Sequence, residues 1–567
     1  MTDITKGKGD KSMKLITGND LVAEALKKEN IEVVFTLGGV PLFGIMDALI
    51  REGIRLIDVR HEQAAVLMAQ GYARATGKPG VAMVVPGPGL LNAVTGVANC
   101  HQGSAPVILL AGHNKMEELE LKAFHEMDAL ELMRPITKWS ATVYESRRIA
   151  EYLSIAFREA TSGMPGPAFL NLPQNVLEGE IKEEDAVVTE NYRSVARPYG
   201  DPSLVAEAVS MLSEAKKPLI IYGSGIIWSG AHRELLEFVE TAHIPAVPTP
   251  LARGCVPDDH PLSCFISRSR AMVESDVILF IGARLNFILS FGRPPRYNPE
   301  ARAIQIDISQ SEIGRNRPVE LGIVGDAKAV LSQMTEKWVS TGATQGNTWA
   351  RELKDMETKK KEKWNELASS SHQPINPVRL CSEIAEFLER DAIVTIDGGE
   401  ILDFSRNLIP TFTPGARMNP GVTGLLGIGI PYAIAAKLAY PNRQVLSLCG
   451  DGAFGLNGME MDTAARHNIP IVVVVSNNAC WGVCTNAQKG MFGAERTFGT
   501  LLSKTRYDQM AQSLNCYGEL VEDPDEIRPA LERAFNSGKP ALLNVITDPN
   551  TEKYSMSPQL KGLPLFK

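Results

Sequence analysis

GDGAFGLNGMEMDTAARHNIPIVVVVSNN, Gly450 to Asn478, sets an acidic residue between two glycines and ends, after an apolar run, on a pair of asparagines. The stretch leaves the apolar run VLSLCG (445–450) and returns through IVVVVS (471–476), and 24 residues separate Gly452 from Asn477. Short β-branched runs of this kind read as strands buried on both faces, and a connection of that length suits one helical crossover between parallel strands. If the two strands are neighbours, their tips lie about 4.8 Å apart. Asp451 and Asn478 could then share one cation.

Working outward, the same pattern occurs twice. VAMVVPGPGLLNAVTGVANCHQGSAPVILLAGHN (81–114) aligns with VLSLCGDGAFGLNGMEMDTAARHNIPIVVVVSNN (445–478): apolar strand, glycine turn, small-residue helix, proline, apolar strand. Self-similarity of this kind predicts two domains of one fold, one near each end. Between them PLIIYGSGIIWSGAHRELLEFVETAHIPAV (218–247) repeats strand, glycine turn, helix and strand, but Gly223, Gly225 and Gly230 depart from GxGxxG, so a plain crossover is the reading. The fold class expected is α/β, with three doubly wound parallel-sheet domains. Polar or proline-bounded stretches at 178–202 and 369–377 set the boundaries: 12–190, 191–370 and 371–550, with a loose tail at 551–567 that is either disordered or folds over a site as a lid.

The bulk numbers narrow the class. A chain of 567 residues with 44% apolar and 22% charged residues suits several soluble domains. A net charge of −8 argues against a nucleic-acid surface. The first residues, MTDITKGKGDKSMK, have no apolar core and read as a leader without a secretion signal. Eight cysteines include no CxxC pair, which predicts reduced thiols and a cytoplasmic location. The run GVTGLLGIGIPYAIAAKLA (421–439) is interrupted by glycines, a proline and Lys437, so a core helix is expected there and no membrane contact.

The site chemistry follows from the two strand tips. A carboxylate and an amide carbonyl are hard oxygen ligands suited to Mg²⁺, which shares phosphate oxygens readily. Gly452 and Ala453 offer backbone N–H groups to those phosphates. Gly-Asp-Gly, 24 residues, then Asn-Asn resembles the thiamine-diphosphate binding motif. The resemblance implies a pyrimidine-binding domain, a central Rossmann-like domain and a diphosphate-binding domain. It implies Mg²⁺ ligation by Asp451, Asn478 and the carbonyl of Cys480, with Gly450, Gly452 and Ala453 at the diphosphate. Glu62, in LIDVRHEQAAVLMAQGYARATGKPGV, is implied as the carboxylate that shares a proton with the aminopyrimidine and so activates the cofactor. Leu426 is implied as the bulky residue that props the bent cofactor. A homodimer or homotetramer, with sites completed between subunits, is implied too.

The central segment ISRSRAMVESDVILFIGARLNFILSFGRPPRYNPEARAIQIDIS (266–309) is similar to that of 2-hydroxyacyl-CoA lyases and, a little less closely, oxalyl-CoA decarboxylases. The resemblance implies Arg268, Arg270 and Arg284 at the phosphates of coenzyme A or of a bound adenine nucleotide such as ADP, and Asp307 at a ribose hydroxyl. Phe124-His125-Glu126 lacks the tyrosine that the decarboxylases resemble at that place. The expected activity is cleavage of a 2-hydroxyacyl-CoA to formyl-CoA and an aldehyde or ketone, with His125 or Glu495 as the base for the 2-hydroxyl. An oxalyl-CoA decarboxylase, an acetolactate-synthase-like carboligase and a non-catalytic homologue stand as alternatives.

Overall fold

The computed structural model describes residues 15–343 and 348–550, so the tail read as loose or as a lid lies outside the described residues. Three sheets organise the chain, and every pairing inside them is parallel. The first holds β1 (Val33–Leu37), β2 (Arg55–Asp58), β3 (Gly80–Val84), β4 (Val107–His113), β5 (Trp139–Thr142) and β6 (Ala168–Pro173), in the order β2-β1-β3-β4-β6-β5. Helix α1 (Glu62–Thr76) follows β2, and α2 (Pro88–Gln102) joins β3 to β4.

The central sheet holds β7 (Pro218–Tyr222), β8 (Ala246–Pro248), β9 (Val277–Ile281), β10 (Arg302–Asp307) and β11 (Leu321–Val324), in the order β8-β7-β9-β10-β11. The third holds β12 (Ile393–Asp397), β13 (Arg417–Met418), β14 (Val445–Gly450), β15 (Val472–Asn477), β16 (Tyr517–Val521) and β17 (Ala541–Ile546), in the order β13-β12-β14-β15-β17-β16. Strand for strand this is the order of the first sheet. The repeat visible in the sequence is therefore a repeat of topology. Helix α3 (Glu400–Leu408) follows β12, α4 (Gly429–Ala439) follows β13, α5 (Asp451–Asn457) follows β14 and α6 (Gly482–Phe492) follows β15.

The run 421–439, too broken to span a bilayer, forms a turn and then α4, whose residues Gly429–Ala436 are all buried. Among the described residues no helix is long and apolar enough to cross a membrane. Burial of α4 follows from its partner: α1, itself buried from Ala64 to Arg74, lies along it. Phe35, Val66 and Leu109 of the first domain share one apolar cluster with Tyr432, Ala433 and Val473 of the third. The approach is close because Gly71 has no side chain. A Cβ there would stand 2.9 Å from Tyr432 Cα and 3.2 Å from Ala435 Cβ.

Overpacking a seam bounded by backbone atoms costs about 1–3 kcal/mol. Gly71→Val should therefore lower the thermal midpoint by several degrees, and a midpoint equal to that of the wild type would show that the two helices part without cost.

Candidate cofactor and metal site

The register of β14 against β15 pairs Gly450 with Ser476, so Asp451 and Asn478 leave adjacent strand tips. Asp451 is 2% exposed, and burial pushes its pKa up to about 6 against the pull of the backbone N–H groups of Gly452, Asp451, Ala479 and Cys480. Its Oδ2 has no hydrogen-bond partner. An orphaned oxygen on a buried carboxylate is costly unless something outside the protein satisfies it. The Asn478 amide carbonyl accepts the Cys480 N–H at 3.2 Å, which turns the Cys480 backbone into the same corner. Among the described residues no three His, Cys, Asp or Glu side chains gather as a metal cluster. A divalent ion here would thus draw on Asp451, Asn478, a backbone carbonyl and ligand oxygens, as Mg²⁺ does when it shares a diphosphate. The residues present fit such an ion.

The turn around it is built for close approach. Gly452 lies under Trp481, where a Cβ would come 2.6 Å from the indole ring. Asp397, at the end of β12, is fully buried, and burial pushes its pKa up to about 7. It accepts the Gly429 N–H at 2.8 Å, and the N–H groups of Gly427 and Ile428 also act on it. Asn457 donates to the Gly427 carbonyl at 2.7 Å. Together these fix the loop that carries Leu426. Glu400, in the first turn of α3, accepts from the Asn478 amide at 2.6 Å and from Asn486 at 3.1 Å. Neither Asp397 nor Glu400 is singled out by the sequence, although IDGGE, ending a strand on Asp-Gly-Gly, is the signal that could have marked them.

On the first domain, Glu62 opens α1 and is 7% exposed. Asn92 of α2 donates to it at 2.9 Å, and a Cβ on Gly89 would reach within 3.3 Å of Glu62 Oε1. His125, at φ 65°, stacks on Phe124 at 3.7 Å and lies over Gly87, whose added Cβ would be 2.8 Å from His125 Cβ. Gly87 and Gly89 flank Pro88 at the start of α2, so the Glu62 carboxylate and the His125 backbone and Cβ pack against that one turn. Glu460, from the third domain, accepts the Arg60 N–H at 3.0 Å and the Thr463 hydroxyl at 2.6 Å. It thereby holds the turn that delivers Glu62.

Glu495 stands apart. It is exposed in the single turn Ala494–Arg496, beyond α6, whose 11 residues span about 16 Å from Gly482. In the central domain, Arg284 and Asp307 meet at a cavity of about 720 Å³ that also touches Trp228, Arg197 and Asp326. Gly225 belongs to its wall and packs so tightly that a Cβ would be 2.7 Å from Gly282 Cα. Burial pushes the Asp307 carboxyl up to about 6. Arg268 and Arg270 do not line this cavity. The Arg268 guanidinium lies over the Phe265 ring, and burial, with Arg406 and Arg253 nearby, lowers its pKa to about 10. Arg270 pairs with Glu274 at 2.6 Å. The two lie two residues apart on one helix and so point in different directions.

Three family models match in the order of the three sheets: the thiamine pyrophosphate enzyme N-terminal TPP binding domain over residues 16–132, the central domain over 205–334 and the C-terminal TPP binding domain over 397–545. The chain belongs to the thiamine pyrophosphate enzymes. Curated relatives match nearly end to end. A probable acetolactate synthase of Mycobacterium bovis is 37% identical over 94% of this chain and 95% of its own length. 2-Hydroxyacyl-CoA lyase 1 of Mus musculus is 33% identical over 96% of each. The oxalyl-CoA decarboxylase of Escherichia coli K12 is 33% identical over 95% of this chain and 96% of its own. Thiamine pyrophosphate is thiamine diphosphate, and the orphaned Asp451 oxygen beside the glycine turn suits its diphosphate with a cation.

Glu460 gives this family member a pH signature. Burial raises its carboxyl from an ordinary 4.5 to about 7. The stability it contributes is complete below about pH 4.5 and is lost as the pH rises through 7, on the order of 3 kcal/mol for a group this buried. Glu460→Gln cannot ionise. The thermal midpoint of the variant relative to wild type should therefore move in the variant's favour between pH 5 and pH 8, and a constant difference would contradict the raised carboxyl.

Proposed function

We propose that this thiamine pyrophosphate enzyme is a 2-hydroxyacyl-CoA lyase, cleaving the C1–C2 bond to give formyl-CoA and an aldehyde or ketone and able to run the condensation in reverse. The observation that carries the reading is the position of His125 over the Gly87 turn that Glu62 also faces. A neutral imidazole nitrogen can take the proton of a 2-hydroxyl as the carbon–carbon bond breaks. Glu495 is the alternative base if a second subunit brings it near.

Bound thiamine diphosphate supplies a carbanion nucleophile for the substrate carbonyl. The chain's own residues bind and orient it. Glu62, held by Asn92, would share a proton with the aminopyrimidine of the bound cofactor, and Leu426 would support that cofactor. Asp451, Asn478 and the Cys480 carbonyl would hold Mg²⁺, with Gly450, Gly452 and Ala453 at the diphosphate. In the central cavity Arg284 would meet phosphate and Asp307 a ribose hydroxyl of coenzyme A or an adenine nucleotide such as ADP. The relatives named for acyl-CoA substrates support that choice. A homodimer or homotetramer is part of the same reading, as is a cytoplasmic place, which eight unpaired cysteines suit.

A second reading is an acetolactate-synthase-like carboligase on 2-oxo acids. The 37% identity to the Mycobacterium bovis protein favours it. Purified protein with thiamine diphosphate and Mg²⁺ should release formyl-CoA from a panel of 2-hydroxyacyl-CoAs. Acetolactate from pyruvate, or CO₂ from oxalyl-CoA, without formyl-CoA would replace the lyase by the matching alternative. Glu62→Gln should lose at least a hundredfold in kcat, and full turnover by that variant would remove Glu62 from the mechanism.

A further inference from the structure

We propose that Glu400 is a positioning residue for the metal and diphosphate site, locking the Asn478 side chain with its carbonyl oxygen toward the cation. The inference rests on the reading that Asn478 ligates Mg²⁺. A side-chain amide has two chemically opposite ends of nearly the same shape, and only the oxygen end can bind a metal. Free rotation would present the wrong end much of the time. Glu400 removes that freedom because a carboxylate accepts hydrogen bonds and donates none. It takes the Asn478 Nδ2 at 2.6 Å, so a flipped amide would set two oxygens at that distance.

The carboxylate is itself held. Its other oxygen accepts from Asn486 Nδ2 at 3.1 Å, and α6 begins at Gly482, where any Cβ would strike Glu400 Oε2. Glu400 sits in the first turn of α3, at the end of a strand that pairs directly with β14, so its placement is set by the same sheet that sets Asp451. With Nδ2 committed, Asn478 Oδ1 points to the Cys480 N–H at 3.2 Å and keeps a second lone pair. Outer partners of this kind typically change metal affinity 10–100-fold when removed.

The test uses the full chain at saturating thiamine diphosphate, with Mg²⁺ titrated and intrinsic tryptophan fluorescence read, to which Trp481, packed on Gly452, contributes. Glu400→Ala should raise the half-saturating Mg²⁺ about 10–100-fold, and Glu400→Gln, whose amide can offer either end, should fall between. Thermal midpoints without cofactor should match the wild type. The deciding arm is the Asn478→Asp background. A carboxylate ligand has no wrong end, so adding Glu400→Ala there should no longer raise the Mg²⁺ requirement. An unchanged requirement in the single variants, or an equal penalty in the Asn478→Asp background, would overturn the proposal. Asp451→Ala separates the two levels. If it leaves the Mg²⁺ dependence intact, the metal reading fails; if it abolishes the dependence while Glu400→Ala does nothing, only the positioning role fails.

Discussion

A carboxylate oxygen with no partner, 2% exposed at the tip of a buried strand, is the point around which this chain is organised. Leaving such a group unpaired costs free energy comparable to a lost charged hydrogen bond, and the chain spends further order on keeping it so. Parallel pairing of β14 with β15 delivers the amide and the backbone that face Asp451. Glycine at 452 lets Trp481 close over the turn. A buried carboxylate at the end of β12 pins the loop that carries Leu426. Polar structure thus collects at one edge of an otherwise apolar sheet.

A second buried carboxylate, Glu62, comes from another part of the chain and is held by different means. Glu62 is the first residue of a helix whose preceding turn is clamped by Glu460 from the third domain. Asp58 reinforces that seam through His467 and Arg466. The first domain thus does not float beside the third. Its glutamate is presented by a turn whose backbone hydrogen bonds belong to its neighbour.

The strands and the ends of the 450–478 unit were legible because both are local signals. β-branched runs of strand length bounded by glycines mark buried parallel strands, and two such runs joined by one helix place Asp451 and Asn478 side by side. Glu62 was legible for the same reason, as an acidic residue at a strand-to-helix turn. Asp397, Glu400, Asn92 and Glu460 were not, since each acts on residues 30 to 400 positions away and no pattern near it announces the partner. Arg268 and Arg270, expected together at phosphates, are parted from one another for a different reason. On a helix two residues subtend about 200°, so a pair of arginines that looks like one basic patch in sequence is divided between a ring of Phe265 and a surface glutamate.

Helices α1 and α4 follow the corresponding strand, β2 or β13, in sheets of identical order, and they pack on one another. The seam through Gly71, Tyr432 and Ala435 is therefore a contact between corresponding elements of two domains of one topology. Each half is the other's partner surface. Free energies of substitutions on the two sides will not add, because every side chain there fills space that the equivalent helix also defines. The two halves differ in the polar residues at their strand tips, Asp451 in one and Glu62 in the other, while sharing that one seam.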